Sequence, residues 1–392
     1  MYDTIVFHLE QDQFKIGDES YFDGRKTSTV NGRFDVGSSF VNGIREKMKK
    51  DKKYYPSVNL ADKTIGNSIT GKTKVKRLEV QISLPKARYE TNKFEIDQND
   101  FDFLYKKTAE YLKMAKVLTD TQSLKGGVLT GVAFSKSTVL PDYFGTAEQV
   151  IRRLSPLNYK PRCKFRYRDY NDGWEGVSIK FHNLIRGLGA YCKYSEILNT
   201  GFTLAEEEII KQVLDRTQPK NIYRLELTLQ RKQTLEAVLR RFIPTKKKDF
   251  TLDDIFTNKD ISQKLLLEQF DEVFNPTNVA LITLSEMKEN KLDSILSGKI
   301  NAFKDRALMF YLVNMTTKIG LCQTFKRMKQ ELSSSNFDRL KRELPKIIEE
   351  LGEMEEPTLN LIEFLRSELV KFEPIKPLVQ KTGCQLLLND LY

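Results

Sequence analysis

The sequence predicts an α+β fold, an antiparallel sheet with flanking helices followed by a mostly α-helical C-terminal domain. Three observations predict it. Several short segments before residue 250 alternate apolar and polar side chains, as strands with one wet face do. Between them lie stretches with apolar residues at helical spacing. Beyond about Arg231 the alternation stops and residues 251–392 read as almost wholly helical, with Pro345 and Pro357 as punctuation. The length of 392 residues suits two domains, and the Lys246–Lys248 run places their boundary near 250, giving 1–250 and 251–392.

In chain order, Tyr2 to Leu9 opens as a strand with Ile5, Phe7 and Leu9 on one face. The polar stretch from Gly17 to Lys76 has no clear register. Arg77 to Ser83 (RLEVQIS) alternates Leu78, Val80 and Ile82 against Arg77, Glu79 and Gln81. Asp100 to Leu118 carries Phe103, Leu104, Tyr111, Leu112 and Ala115 at the spacing of an amphipathic helix. Gly126 to Ser135 reads as a strand. Gly176 to His182 and Ala190 to Ile197 read as a β-hairpin. Asn221 to Gln230 (NIYRLELTLQ) alternates again, with Leu225, Leu227 and Leu229 inward, and LEAVLRRF then turns helical.

Charge is uneven along the chain. Lys and Arg total 64 against 53 Asp and Glu, a formal net charge of +11. Residues 251–392 hold 19 basic and 22 acidic residues, so the positive surplus lies in residues 1–250. That is the distribution expected if the first part meets a polyanion and the rest does not. No apolar run approaches the roughly 18–20 residues that cross a bilayer. The opening MYDTIVFHLE lacks a basic segment followed by an apolar one. The four cysteines form no CxxC pair, so a zinc cage or disulfide framework is not expected, and a reduced, cytoplasmic protein is. Two histidines, His8 and His182, are too few for a histidine cluster.

Two strands share a design that bears on chemistry. RLEVQ and RLELT each set a carboxylate mid-strand on the polar face, Glu79 and Glu226, with Arg77 and Arg224 two residues earlier. If the strands share a sheet and a face, the two carboxylates converge and suit a hard divalent cation, Mg²⁺ or Mn²⁺. Alternation alone favours the plainer reading of two amphipathic strands with charged outer faces. In AYCKYSEI, a strand places Tyr191 and Lys193 on the same face. A phenol beside an ammonium is a candidate nucleophile, its phenolate favoured over the ordinary value of about 10. The segment PRCKFRYRDY interleaves Arg162, Lys164, Arg166 and Arg168 with Phe165 and Tyr167, a mix that neutralises phosphates and offers stacking faces. No GxxxxGK[ST] loop is present.

These segments together resemble the replication initiators of filamentous phages, the gene II protein family, and related phage and plasmid rolling-circle initiators. The resemblance rests on MYDTIVFHL, RLEVQISLPKARYETN, DGWEGVSIKFH followed by LGAYCKYSEI, and YRLELTLQRK, in that order. It implies that the first domain nicks one DNA strand at an origin and later rejoins the displaced strand. A tyrosine forms a 5′-phosphotyrosine link and frees a 3′-hydroxyl. The family's Ala-Tyr-x-Lys block falls on Ala190-Tyr191-Cys192-Lys193, which assigns the nucleophile to Tyr191 and a phosphate contact to Lys193. Glu79 and Glu226 lie in blocks that carry the resemblance, and their expected role as metal ligands rests on the strand geometry given above; Arg77, Lys86, Arg162, Lys164, Arg166, Arg168 and Arg224 are the expected DNA contacts. Gly131 stands where the family often has Asp, and Glu90-Thr91-Asn92 where it has Gly-His-Asn. Host helicase and DNA polymerase are the implied partners. Two other readings fit parts of the same pattern: a non-catalytic origin-binding replication protein, and an RNA-binding regulator built on PRCKFRYRDY.

Overall fold

Ile5, Phe7 and Leu9 alternate along the opening segment, and they place strand β1 (Tyr2–Glu10) inside the sheet with those three side chains buried. The structure is a computed structural model that describes residues 1–18, 22, 50–65, 73–154, 164–169, 177–182, 186–201, 203–214, 221–244, 247–286, 289–319, 321–352 and 356–377. The remaining strands are β2 (Lys15–Ile16), β3 (Ser57–Ile65), β4 (Thr73–Ser83), β5 (Val117–Leu118), β6 (Val128–Val139), β7 (Lys164–Asp169), β8 (Val177–His182), β9 (Arg186–Cys192) and β10 (Ile222–Gln230). Eight of them form one sheet in the order β3-β4-β1-β6-β10-β9-β8-β7, every neighbouring pair antiparallel. β2 and β5 make a separate two-stranded ribbon. Strand β3, at one edge, comes from the stretch whose register the sequence did not show.

One face of the sheet builds the main core. Leu78, Val80 and Ile82 of β4 and Leu225, Leu227 and Leu229 of β10 join the β1 residues, each at most 3% exposed. Helix Phe101–Met114 adds Leu104 and Leu112, and helix Lys232–Leu239 adds Leu235 and Leu239. Each such side chain contributes roughly 1.5–3 kcal/mol by leaving water.

The apolar packing does not divide at residue 250 as expected. Helices Leu252–Thr257, Ile261–Val273 and Glu356–Lys371 pack into the sheet's core. A second core, with Leu292, Leu296, Leu312, Val313, Leu344 and Ile348, belongs to the five helices from Pro276 to Gly352. The C-terminal region is thus helical as expected, but its last helix returns to the sheet. Pro345 lies inside helix Ser334–Gly352 and does not end it, whereas Pro357 sits in the first turn of Glu356–Lys371, where its missing N–H costs no hydrogen bond. Residues following that helix run back along the sheet unit. Glu95 N–H donates to Ile375 O at 2.8 Å, and Ile375 N–H donates to Glu95 Oε2 at 3.2 Å. Among the described residues no helix is long and apolar enough to cross a membrane.

Candidate active site

The site grows from the register of β9 and β10. Tyr191 lies opposite Arg224, and Gly189 opposite Glu226. Opposite residues and those two apart share a face, so Tyr191, Arg224, Glu226 and Thr228 all belong to the polar face. Gly189 leaves the space beside Glu226 clear of a side chain, and the Tyr191 phenol occupies that neighbourhood. Its hydroxyl donates to Glu226 Oε2 at 2.9 Å, and Thr228 Oγ1 donates to Glu226 Oε1 at 3.1 Å. Both Tyr191 and Glu226 are half-buried.

Electrostatics sets how the pair can act. Burial and the neighbouring Glu226 carboxylate push the phenol well above its ordinary value of 10.0. Burial, reinforced by the negative charge of Asp3, also raises Glu226 above the usual glutamate value. At neutral pH the hydroxyl is therefore protonated and already hydrogen-bonded to the group that can take its proton. A carboxylate with a raised pKa is better matched to that task. The expectation of a phenolate favoured by Lys193 is corrected. Strand β9 ends at Cys192, and Lys193 is the first residue of helix Lys193–Thr200, fully buried, with its Nζ 2.6 Å from Glu196 Oε2. That ammonium lies 5.5 Å from the Tyr191 ring centroid but is spent on Glu196, so the assigned phosphate contact is not available to it in this arrangement.

Arg224 is a second correction. It is 0% exposed and cannot meet DNA. Its guanidinium donates to Asn92 O at 3.0 Å, Ser137 Oγ at 3.3 Å and Ser135 Oγ at 2.7 Å, and lies 3.3 Å from Asp3 Oδ2. Burial opposes the charge, but Asp3, Tyr191, Glu95 and Glu226 outweigh it and hold the pKa above the ordinary arginine value. A register shift brings Asp3 here. Tyr2 pairs with Phe134 and Thr4 with Ala133, so Asp3 is an extra residue on β1, a bulge that re-aims its side chain. Arg224 thus ties β10, β6, β1 and the Asn92 loop together beneath the tyrosine. Asn92 Nδ2 in turn donates to Glu196 Oε1 at 3.2 Å, linking that loop to Lys193.

Glu79 and Glu226 lie in one sheet and on one face, but they do not converge. β1 and β6 stand between their strands, a lateral separation of about 14 Å at the usual strand spacing. Along the strands Glu79 is level with His8, while Glu226 is level with Ser135, whose N–H donates to Met1 O. That offset adds roughly 20 Å. One cation cannot touch both, and among the described residues no group of three or more His, Cys, Asp and Glu side chains is placed to hold a metal. Glu79 instead accepts from Asn59 Nδ2 at 3.4 Å, near Arg77.

The expected DNA contacts separate in the same way. Arg77 is bound to Glu10 at 2.9 Å, and Lys86 to the buried Glu206 at 2.9 Å. Arg162 lies outside the described residues, and for Lys164, Arg166 and Arg168 only the backbone is described. Their register is informative. Arg168 pairs with Ser178, Ser178 with Tyr191, and Tyr191 with Arg224, one row across four strands. Arg166, Lys180, Gly189 and Glu226 form the next row. Sequence reasoning missed Asp3, Asn92 and Glu196. A carboxylate at Asp3, just before the apolar run Ile5, Val6 and Phe7 of the opening strand, was the available signal.

No protein-family model matches the chain, and no curated protein or solved structure matches it significantly.

Proposed function

We propose that this chain nicks and rejoins a DNA strand through Tyr191, as a replication initiator of the rolling-circle kind. The observation that carries the reading is the Tyr191 hydroxyl donating to Glu226 at 2.9 Å on the polar face, in register with the basic strand β7. In the proposed step Tyr191 Oη attacks a backbone phosphorus and its proton passes to Glu226 Oε2. The Oη–P bond forms, the bond from phosphorus to the 3′-oxygen breaks, and that oxygen leaves as a hydroxyl with a proton from solvent. Phosphodiester energy is kept in the phosphotyrosine, so attack by a 3′-hydroxyl reverses the step and rejoins the strand. Glu226 takes the role of base in place of the metal-ligand role expected of it. The Glu79–Glu226 pair does not fit a shared Mg²⁺ or Mn²⁺, and the step is assigned to protein groups alone. Host helicase and DNA polymerase are the partners such an initiator implies.

The test is incubation of purified protein with a 3′-labelled pool of single-stranded oligonucleotides, with Mg²⁺, with Mn²⁺ and with chelator. A covalent protein–DNA adduct that Tyr191→Phe abolishes is the expected result. An adduct that survives Tyr191→Phe moves the nucleophile elsewhere. Duplex binding without cleavage under every condition identifies a non-catalytic origin-binding protein instead.

A further inference from the structure

The net acidity of residues 251–392 conceals a basic block. Residues 303–346 hold ten Lys and Arg against four Asp and Glu, so the rest of that region is strongly acidic. The block spans three successive helices of the second core: Phe303–Ile319, Leu321–Glu331 and Ser334–Gly352. On the middle helix Thr324 and Met328 are buried, and Thr316 Oγ1 donates to Thr324 Oγ1 at 3.2 Å, fixing the helix to its predecessor. At 100° per residue, Lys326, Lys329 and Gln330 fall on the opposite side and Arg327 on its flank, and all four are exposed. Among the described residues, none of those three cations has an ion-pair partner. Lys341, Arg342 and Lys346 are exposed on the following helix.

We infer that helix Leu321–Glu331 is a second nucleic-acid contact, docking into the groove of duplex DNA outside the tyrosine site. The inference deepens the proposed function by giving the helical unit the duplex beside the nicked strand. A helix about 10–12 Å across fits a major groove about 12 Å wide. Lys326, Arg327 and Lys329 meet phosphates, and Gln330 supplies a donor and an acceptor for base edges. An anionic membrane surface is the poorer match, because the helix's apolar side is already occupied by the bundle. Duplex RNA is poorer too, since its deep, narrow major groove excludes a helix.

The experiment measures binding of a mixed-sequence duplex between 50 and 200 mM salt, in a Tyr191→Phe background so that cleavage plays no part. The triple variant K326A/R327A/K329A is expected to weaken duplex binding and to flatten the plot of log affinity against log salt by about 2.7, or 0.9 per phosphate contact. The charge-keeping variant K326R/K329R is expected to retain the parent slope. A triple variant with unchanged affinity and slope overturns the inference. So does an equal loss for an RNA hairpin, which removes the duplex-DNA assignment, or a loss shared by K264A on helix Ile261–Val273, which reduces the effect to overall charge. Because Tyr191 is absent throughout, failure here is separate from failure of the nicking proposal.

Discussion

Glu226→Gln tests the proposed chemistry most directly. The substitution keeps the side-chain volume and an oxygen near Thr228, and removes the charge and the proton acceptor 2.9 Å from the phenol. A positioned base contributes about 10²–10⁴ in rate, which is about 2.7–5.4 kcal/mol of barrier at 1.36 kcal/mol per tenfold. Single-turnover adduct formation, quenched and resolved on a denaturing gel, should slow by that factor. The pH profile carries the sign. Glu226 acts only when ionised, so the wild-type rate rises as pH climbs through its elevated pKa and levels off above it. That limb should vanish in the variant. An independent readout is ultraviolet titration of the phenol, isolated as the difference from Tyr191→Phe. Loss of the adjacent negative charge should bring the Tyr191 pKa down toward its ordinary value, while burial keeps it from returning fully. A variant within threefold of wild type at every pH, with the phenol titration unmoved, refutes Glu226 as the base.

Three further outcomes follow from the same geometry. Arg224→Met strands Asp3 beside an unpaired site, and should cost roughly 3–5 kcal/mol in denaturant unfolding without changing the salt slope of DNA binding; the reverse pattern would make Arg224 a DNA contact after all. Glu79→Gln should leave adduct yield and its ion dependence unaltered, because Glu79 lies in a separate part of the face. Loss of ion-dependent cleavage would restore the carboxylate pair. Lys193→Met removes the ammonium that holds Glu196 below the usual glutamate range, and should destabilise by about 1.5–3 kcal/mol at neutral pH. The lowered Glu196 pKa contributes stability above its unfolded value and loses it as pH falls through the folded one, so wild type and variant should converge in acid. A gap in melting temperature that persists in acid would contradict this.

Much of the fold was legible from side-chain alternation. RLEVQIS and IYRLELTLQ became β4 and β10 because period-2 patterns bury one face whatever the neighbours are. The same patterns set Glu79 and Glu226 each on the polar face of its own strand and left open whether the two share a sheet, a face or a cleft, because strand order is a tertiary property. Likewise the strand expected over Ala190 to Ile197 stops at Cys192, and the structure starts a helix at Lys193, because so short a span does not separate the two periods. Arg224 shows the limit most clearly. A polar-face arginine looks solvated until a bulge delivers Asp3 and a loop delivers Asn92 to enclose it.

By itself, then, the amino-acid order determined the local elements, their inward faces and the concentration of cationic residues, since these depend on neighbours a few positions apart. Only the tertiary structure decided that Tyr191 meets Glu226 and not Glu79, that Lys193 serves Glu196, and that the last helix rejoins the sheet. Those outcomes depend on which strands pair and in what register, and pairing joins residues far apart in the chain whose contact no local pattern encodes.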